Sequence, residues 1–328
     1  MQKWPPEVKS PTTGAARAGT GVPRILVRMS TLRTERLVRR HTVIADDGVP
    51  LAVHELGAAG APLTAVFVHG HCGRTETWTP LRDSLIRRYG ATLRMVFFDH
   101  RGHGASGTAG PETYTVEQLG RDLAAVLRAV SAGPVVLVGH SMGGMTILSY
   151  ARQHPHEIGT RVAGVCLIGT AAGDLGRSGL GRYLDSPAVA LFHRAVRHAP
   201  GAVQRALHLG GRAVRPLRRT SQRRASGSRW AALLAVLAND TPVVTMAAFL
   251  RSFAVLDESA ALAVLAAVPA VVLCGSADEW TPFELSAGLA ERLPRAELVR
   301  IDGAGHSVIT DRPAEVARAL GGLLQRLG

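Results

Sequence analysis

The feature that most constrains the fold is a serine flanked by glycines between a predicted strand and a predicted helix. Residues 134–138 read Pro-Val-Val-Leu-Val, and Gly-His-Ser-Met-Gly at 139–143 then leads into an apolar stretch of helical length. A serine in so sharp a turn leaves no room for a Cβ two positions away on either side. The turn would expose the Ser141 hydroxyl where the Met142 N–H can stabilise an oxyanion. The predicted elbow residues are Gly139, His140 and Gly143.

Two further predicted strands end near the residues that a nucleophilic serine needs. Strand 271–275 exits into a loop that contains Asp278, and strand 295–301 runs into a glycine-rich turn before His306. A serine hydroxyl becomes a good nucleophile when an imidazole takes its proton and a carboxylate orients that imidazole. We therefore predict that Asp278 is the orienting acid and His306 the base for Ser141. The competing candidates for the acid are Glu279 and Asp174.

A third predicted strand, at 63–68, precedes His-Gly-His-Cys-Gly at 69–73. The His-Gly pair would turn the chain so that the backbone N–H of His71, or that of its neighbour Cys72, faces the serine. Together with the Met142 N–H, this amide would form an oxyanion hole. Either loop amide satisfies the pattern, and His71 is our first choice.

The side chains of this loop are expected to be structural. We predict that the His69 and His71 rings make hydrogen bonds inside the loop. A metal site at His69, His71 and Cys72 is the alternative, because all three residue types bind metals. The one-residue spacing of the histidines and the absence of a nearby third carboxylate argue against it, so we predict no metal.

Taken together, these motifs resemble the α/β-hydrolase superfamily, most closely its bacterial esterase, non-heme haloperoxidase and perhydrolase-like group with a helical cap. The resemblance covers roughly residues 40–327. It rests on the serine motif, the His69-Gly70 pair, the Asp278 and His306 loops, and the segment Phe-Asp-His-Arg-Gly-His-Gly-Ala-Ser at 98–106. In such proteins the 99–106 segment is a structural turn beneath the active site, so its charged residues are expected to be architectural.

The serine at the elbow decides the reaction class that the resemblance implies. Epoxide hydrolases and haloalkane dehalogenases of this fold carry aspartate there, whereas a serine forms an acyl-enzyme with esters, thioesters, lactones or amides. We therefore predict a carboxylesterase-like serine hydrolase of a small acyl substrate, with no cofactor. Peroxide in place of water would make it a perhydrolase. The other alternative is a lyase, cyclase or ligand-binding protein that keeps the fold without hydrolysis.

Strands and helices alternate along most of the chain, which predicts an α/β fold with a mostly parallel central sheet and helices on both faces. The alternation stops after the strand at 162–168 and resumes near residue 269. We predict an α/β-hydrolase core at 36–169 and 259–328, a helical cap or lid at 170–258, and a disordered extension at 1–35. Met29 is a candidate start. Residues that could line the pocket, although each also suits a core, are Trp78, Trp230, Trp280 and Phe249.

Composition limits the setting of the protein. Three scattered cysteines give no disulfide framework, which favours a reducing, cytoplasmic compartment. No apolar run approaches the roughly 18 residues of a transmembrane helix, and the first 30 residues lack the apolar core of a secretory signal. The sequence carries no signal of oligomeric state.

The net charge of +13 comes almost entirely from arginine. Residues 170–230 contain twelve arginines against two acidic residues. This segment would attract an anionic partner such as an acidic substrate, a phosphopantetheine or coenzyme A moiety, or an anionic lipid surface. The alternative is a solvated cap surface. No aromatic residues interleave the cluster and no binding module accompanies it, so we predict no nucleic-acid partner. The cluster comprises Arg212, Arg215, Arg218, Arg219, Arg223, Arg224 and Arg229.

Overall fold

The computed structural model describes residues 39–58, 60–130, 133–221 and 240–327. The strands are β1 (Arg39–Ile44), β2 (Pro50–Leu56), β3 (Leu63–Val68), β4 (Leu93–Phe98), β5 (Val135–His140), β6 (Val162–Ile168), β7 (Ala270–Gly275) and β8 (Ala296–Ile301). The helices are α1 (Thr79–Tyr89), α2 (Val116–Val130), α3 (Met142–Gln153), α4 (Pro187–His198), α5 (Pro200–Ser221), α6 (Val243–Ala254), α7 (Ala261–Leu265), α8 (Phe283–Glu291), α9 (Val308–Asp311) and α10 (Pro313–Gln325).

The strands form one sheet in the order β1-β2-β4-β3-β5-β6-β7-β8. Only β2 runs antiparallel to its neighbours β1 and β4, and every other pair is parallel. The chain steps from β3 outward to β4 and then returns past β3 to β5. Ligands of open α/β sheets bind at the carboxyl ends of the strands where the strand order reverses in this way. Here that point lies between the ends of β3 and β5.

Alternating side chains bury the sheet on both faces, as a parallel sheet covered by helices requires. In β5, Val135 and Leu137 belong to the core beneath α2 and α3, and Val136 and Val138 belong to the core beneath α1 and α10. Trp78 lies in the second of these cores. The predicted α/β architecture, with a mostly parallel sheet and helices on both faces, is therefore confirmed.

The segment between β6 and β7 leaves the sheet after one strand and rejoins it at the neighbouring strand. Its helices pack together through Val196 of α4, Val203 of α5 and Val243 of α6. At its base the Glu258 N–H donates to the Ala172 carbonyl oxygen at 2.6 Å. The division into a core and a cap at residues 170 and 258 stays a prediction. No helix in the described ranges is long and apolar enough to cross a membrane.

The turn after β4 is held by a buried guanidinium. Arg101, which is wholly buried, contacts Asp122 through Nε at 2.7 Å and Nη2 at 2.6 Å, and contacts Asp47 at 2.7 and 3.0 Å. Hydrogen bonds to Arg101 hold the pKa of Asp47 below its usual value, whereas burial raises that of Asp122. The predicted architectural role of this segment fits these contacts.

The predictions for the N-terminal extension, for Trp230 and for the arginine cluster fall wholly or partly outside the described residues. The extension 1–35 and Trp230 lie outside the described residues. Of the arginine cluster, Arg223, Arg224 and Arg229 also lie outside them. The remaining cluster members fall on the last turns of α5, where only the helix is described: Arg212, Arg215, Arg218 and Arg219.

Candidate active site

The serine elbow has the strained backbone that its glycines predict. Ser141 lies between β5 and α3 with φ 55° and ψ −121°, a region that residues with a Cβ rarely adopt. A Cβ on Gly143 would overlap the Val68 carbonyl oxygen, and one on Gly139 would overlap the backbone of Gly143. A larger residue at 143 would therefore push the elbow away from β3, and one at 139 would push the end of β5 away from the start of α3.

Asp278 and His306 converge on Ser141 from the ends of β7 and β8. The His306 Nε2 lies 3.0 Å from the Ser141 Oγ, and its Nδ1 lies 2.8 Å from the Asp278 Oδ2. Because an ionised carboxylate only accepts hydrogen bonds, the Nδ1–H donates to Asp278 and the bare Nε2 faces the serine hydroxyl. This arrangement can transfer the proton of Ser141 to His306.

The carboxylate of Asp278 is fixed within its own loop. Its Oδ1 accepts the backbone N–H groups of Trp280 and Thr281, both at 2.9 Å, and the Thr281 hydroxyl donates to its Oδ2 at 3.0 Å. Burial would raise the pKa of Asp278, but the His306 ring and these hydrogen bonds outweigh it and hold the pKa below its usual value. Asp278 is therefore ionised at neutral pH.

Neither of the two competing acids pairs with His306 among the described residues. Asp174 is exposed at the start of a short 3₁₀ turn, where it pairs loosely with Arg177 at 3.9 Å. Glu279 has no hydrogen bond or ion pair to His306 in the described parts of the chain. Trp280, a predicted pocket residue, lies beside the base with its ring centroid 6.4 Å from that of His306.

The loop after β3 packs against the elbow. A Cβ on Gly70 would lie 3.0 Å from the Ser141 Cβ, so the two backbones are close. The N–H of Cys72 donates to the His103 Nε2 at 3.2 Å, which removes it from the candidate oxyanion donors. The N–H groups of His71 and Met142 have no hydrogen-bond partner in the described residues, and that of Met142 belongs to the first turn of a helix.

The His69 ring is structural, as predicted. Its Nδ1–H donates to the Gly70 carbonyl oxygen at 2.8 Å, and its Nε2 accepts the His100 N–H at 3.0 Å. The corresponding prediction for His71 is wrong. Neither nitrogen of its ring has a partner among the described residues, and the rings of Phe249 and Phe253 of α6 pack against it at steep angles. Burial lowers the pKa of His71 to about 4, which keeps the ring neutral.

His140, inside the elbow, contacts the loop of the base. Its Nε2–H donates to the His306 carbonyl oxygen at 2.8 Å, and the two ring centroids lie 4.9 Å apart. Burial lowers the pKa of His140 to about 3, so the ring stays a neutral donor. This side chain therefore ties the backbone of His306 to the strand that carries the serine.

The loop after β3 does not form a group of metal ligands with suitable spacing. Within the described ranges, the acidic and histidine side chains that converge closely enough are Asp46, Asp47 and Asp122, and the Arg101 guanidinium binds the last two. Burial raises the pKa of the Cys72 thiol to about 12, which leaves it protonated and a poor ligand.

An apolar cluster lies beside the elbow. It joins the oxyanion-donor candidate Met142 to Met145 on the same helix and to Phe249 and Phe253 of α6. Phe249, a predicted pocket residue, is fully buried in this cluster, and its ring contacts those of His71 and Tyr114. Sequence reasoning missed the contact between α6 and His71, because nothing in the spacing of these residues joins them.

Comparisons with known proteins agree with this architecture. The sequence profile of the α/β hydrolase fold matches residues 66–313. A Mycobacterium phage D29 protein named "Putative non-heme haloperoxidase" is 32% identical over 136 residues, which cover 42% of this chain and 45% of that protein. "Putative carbamate hydrolase RutD" from Caulobacter sp. (strain K31) is 31% identical over 112 residues, which cover 34% of this chain and 40% of that protein. The chain thus spans less than half the length of these relatives.

Solved structures match over most of the chain. The bromoperoxidase from Bacillus anthracis superposes with a TM-score of 0.68 at 20% identity and covers 88% of this chain and 100% of its own. A thermophilic esterase from Thermogutta terrifontis gives a TM-score of 0.66 at 24% identity and covers 88% of this chain and 99% of its own. The chain belongs to the α/β-hydrolase fold family, in whose esterase- and haloperoxidase-like group its relatives fall.

Proposed function

We propose that this protein is a serine hydrolase that cleaves a carboxylic ester, thioester or lactone through an acyl-enzyme on Ser141. The observation that carries the proposal is the continuous relay from the Ser141 Oγ to the His306 Nε2 at 3.0 Å and from the His306 Nδ1 to Asp278 at 2.8 Å. Hydrolase and esterase relatives of the same fold support it.

Acylation would begin as His306 takes the Ser141 proton on Nε2 while Oγ bonds to the substrate carbonyl carbon. The carbonyl oxygen becomes an oxyanion, which the free N–H groups of His71 and Met142 would bind. Collapse of this intermediate breaks the bond to the leaving group, which departs with the proton from Nε2. The acyl group then remains on Ser141.

Deacylation repeats these steps with water. His306 takes a proton from the water as its oxygen attacks the acyl carbon, and the second oxyanion collapses to free the acid and return the proton to Ser141. Throughout, Asp278 keeps the ring in the correct tautomer and stabilises its cation. The chemistry needs no metal or organic cofactor.

The three unpaired cysteines support a reducing, cytoplasmic setting, which we also infer.

Perhydrolysis is a second candidate, favoured by the haloperoxidase name of the phage relative and by the bromoperoxidase structure. Hydrogen peroxide would attack the same acyl-enzyme in place of water and release a peracid. A lyase, cyclase or binding protein of this fold would instead leave Ser141 without acyl transfer.

We further propose that helices of the 170–258 segment cap the site, since Phe249 and Phe253 reach His71.

The direct test is labelling with a fluorophosphonate probe, which reacts only with an activated serine. We expect stoichiometric labelling of the native protein and none of Ser141→Ala, together with turnover in a series of p-nitrophenyl esters and acyl-coenzyme A thioesters of graded chain length. Adding hydrogen peroxide and measuring peracid distinguishes the second candidate. A folded native protein that neither takes the label nor turns over any ester would contradict the proposal and favour the non-hydrolytic alternative.

We also propose that the arginine-rich segment draws anionic substrates toward the site. Arg194 and Arg197 of α4 and Arg205 of α5 are exposed. Such attraction acts at long range, and its Debye length falls from about 10 Å at 0.1 M salt to about 3 Å at 1 M. Over that range we expect kcat/KM for an acyl-coenzyme A to fall steeply and kcat/KM for a neutral ester to stay nearly constant.

Charge-neutral variants separate this attraction from general salt effects. Replacing Arg218, Arg219, Arg223 and Arg224 with Gln should mimic high salt for the thioester alone. The matched control replaces four arginines outside the segment, Arg39, Arg40, Arg87 and Arg88, which are exposed on β1 and α1. A role in substrate attraction would be contradicted if kcat/KM for the thioester and for the neutral ester changed equally. It would also be contradicted if the two variants changed kcat/KM for the thioester equally.

A further inference from the structure

The loop after β3 is fastened to the turn after β4 at regular intervals. The His69 Nε2 accepts the His100 N–H at 3.0 Å, and the Cys72 N–H donates to the His103 Nε2 at 3.2 Å. Three residues further on, the Thr75 N–H and hydroxyl donate to the Asp99 Oδ1 at 2.7 and 2.6 Å. The loop is therefore held at three points by the 99–106 turn, and the middle point lies within the 70–73 turn, which packs against Ser141.

The middle contact coincides with backbone strain. Cys72 has φ 58°, a left-handed conformation that costs a residue with a Cβ free energy. It is the third residue of a tight turn closed by the Gly73 N–H and the Gly70 carbonyl oxygen at 3.0 Å, a position where glycine is preferred. A strained residue in place of that glycine needs an external partner to hold the peptide between His71 and Cys72.

His103 has the properties of such a partner. Its Nδ1–H donates to the Arg101 carbonyl oxygen at 3.0 Å, so its Nε2 is a bare acceptor aimed at the Cys72 N–H. The ring is buried between the rings of His69, His71, His100 and Phe249, and burial keeps its pKa well below the usual value. Arg101 is itself fixed by two carboxylates.

We propose that His103 is a positioning residue of the reaction: by accepting the Cys72 N–H it holds the 70–73 turn so that the His71 N–H is presented to the oxyanion. This inference rests on the proposed function. The turn packs against the nucleophile, since a Cβ on Gly70 would already lie 3.0 Å from the Ser141 Cβ. Small displacements of an oxyanion donor are costly, because losing one such donor typically lowers kcat about 10²–10³-fold.

Two substitutions separate the acceptor from the rest of the side chain. His103→Gln places an amide oxygen near the former Nε2, whereas His103→Asn reaches only to the Nδ1 position and leaves the Cys72 N–H unpaired. We expect the Asn variant to lose about 10–100-fold in kcat with KM nearly unchanged, as for a partly displaced donor. The Gln variant should recover most of that loss.

An inhibitor that forms an oxyanion gives a second measurement. A trifluoromethyl ketone adds to an active serine and places its oxyanion in the hole, so its affinity should fall in the Asn variant by the same factor as kcat/KM. The affinity for the carboxylate product should not change. Ser106→Ala is the matched control. The Ser106 hydroxyl belongs to the same turn, accepts the Ala52 N–H at 2.9 Å and donates to the Asp99 carbonyl oxygen at 2.6 Å, and it makes no hydrogen bond to the 70–73 turn in the described residues. We expect its kcat to stay within about threefold of the native value.

The outcomes distinguish this inference from the proposed function. If His103→Asn does not fold, His103→Leu, which fills a similar volume without an acceptor, takes its place. Suppose that the native enzyme is active. The positioning role alone would be overturned if the acceptor-free variant kept its kcat. It would also be overturned if the Gln variant and Ser106→Ala lost as much kcat as the Asn variant. A native protein without turnover or label would contradict the proposed function, and this inference with it.

Discussion

Replacing Ser141 with alanine is expected to lower kcat/KM for any ester substrate by about 10⁴–10⁶-fold, the range seen when a catalytic serine is removed. His306→Ala should cost a similar factor, because in the proposed mechanism the hydroxyl and the imidazole act as one unit. The double variant should then be hardly slower than either single one. Steady-state kinetics on a p-nitrophenyl ester, with thermal melting to verify folding, provide the measurement.

A neighbouring serine supplies the control. Ser149 lies on the same helix as the elbow and is buried, so Ser149→Ala tests the loss of a hydroxyl from α3 without touching the relay. It should retain activity and take the fluorophosphonate label. More than about a tenth of native activity in Ser141→Ala would exclude this residue as the nucleophile.

The largest expected effect on stability comes from Arg101. Its guanidinium and the Asp122 carboxylate are both fully buried, at 2.6 Å from one another. Arg101→Met leaves that carboxylate in the core without its partner, and breaking a buried pair in this way typically costs about 3–5 kcal/mol. Urea unfolding should show that decrease in the free energy of unfolding. Arg101→Met combined with Asp122→Leu should recover a large part of it, because the buried charge is gone and the other partner of the guanidinium, Asp47, is about one-third exposed to solvent.

An exposed pair gives the comparison for this experiment. Arg82 pairs with Asp83 at 2.8 Å with both side chains substantially exposed, and such a pair contributes at most about 1 kcal/mol. Arg82→Met should therefore change stability little. If the free energy of unfolding of Arg101→Met lay within about 1 kcal/mol of the native value, the guanidinium would not be the main contact that stabilises the turn.

The elements of the sheet were predictable because their sequence signals are local. Runs of β-branched residues between glycine-rich turns predicted β3 and β6 with their observed bounds. Asp278 and His306 could also be assigned to Ser141, because all three follow predicted parallel strands whose carboxyl ends lie at one edge of the sheet.

The environment of the loop after β3 was not predictable in the same way. Whether the Cys72 amide is free or bound depends on His103, which lies 31 positions further along the chain. The His71 ring lost its expected hydrogen bonds because α6, from a distant segment, covers it with aromatic rings. Contacts of this kind depend on how helices pack on the finished sheet, and hydrophobic periodicity does not encode them.

The hydrogen bond between Glu258 and Ala172 marks the base of a segment that can change in length and sequence in proteins of this architecture. Because the chain departs from and rejoins the sheet at a single point, the intervening helices can be lengthened, shortened or exchanged while the strands beneath keep their register. The entropic cost of such a change is small, since doubling the length of a closed loop costs only about 0.6 kcal/mol. If this segment caps the site as proposed, selection can act on substrate choice there while the strand ends that carry Ser141 and His306 remain as they are.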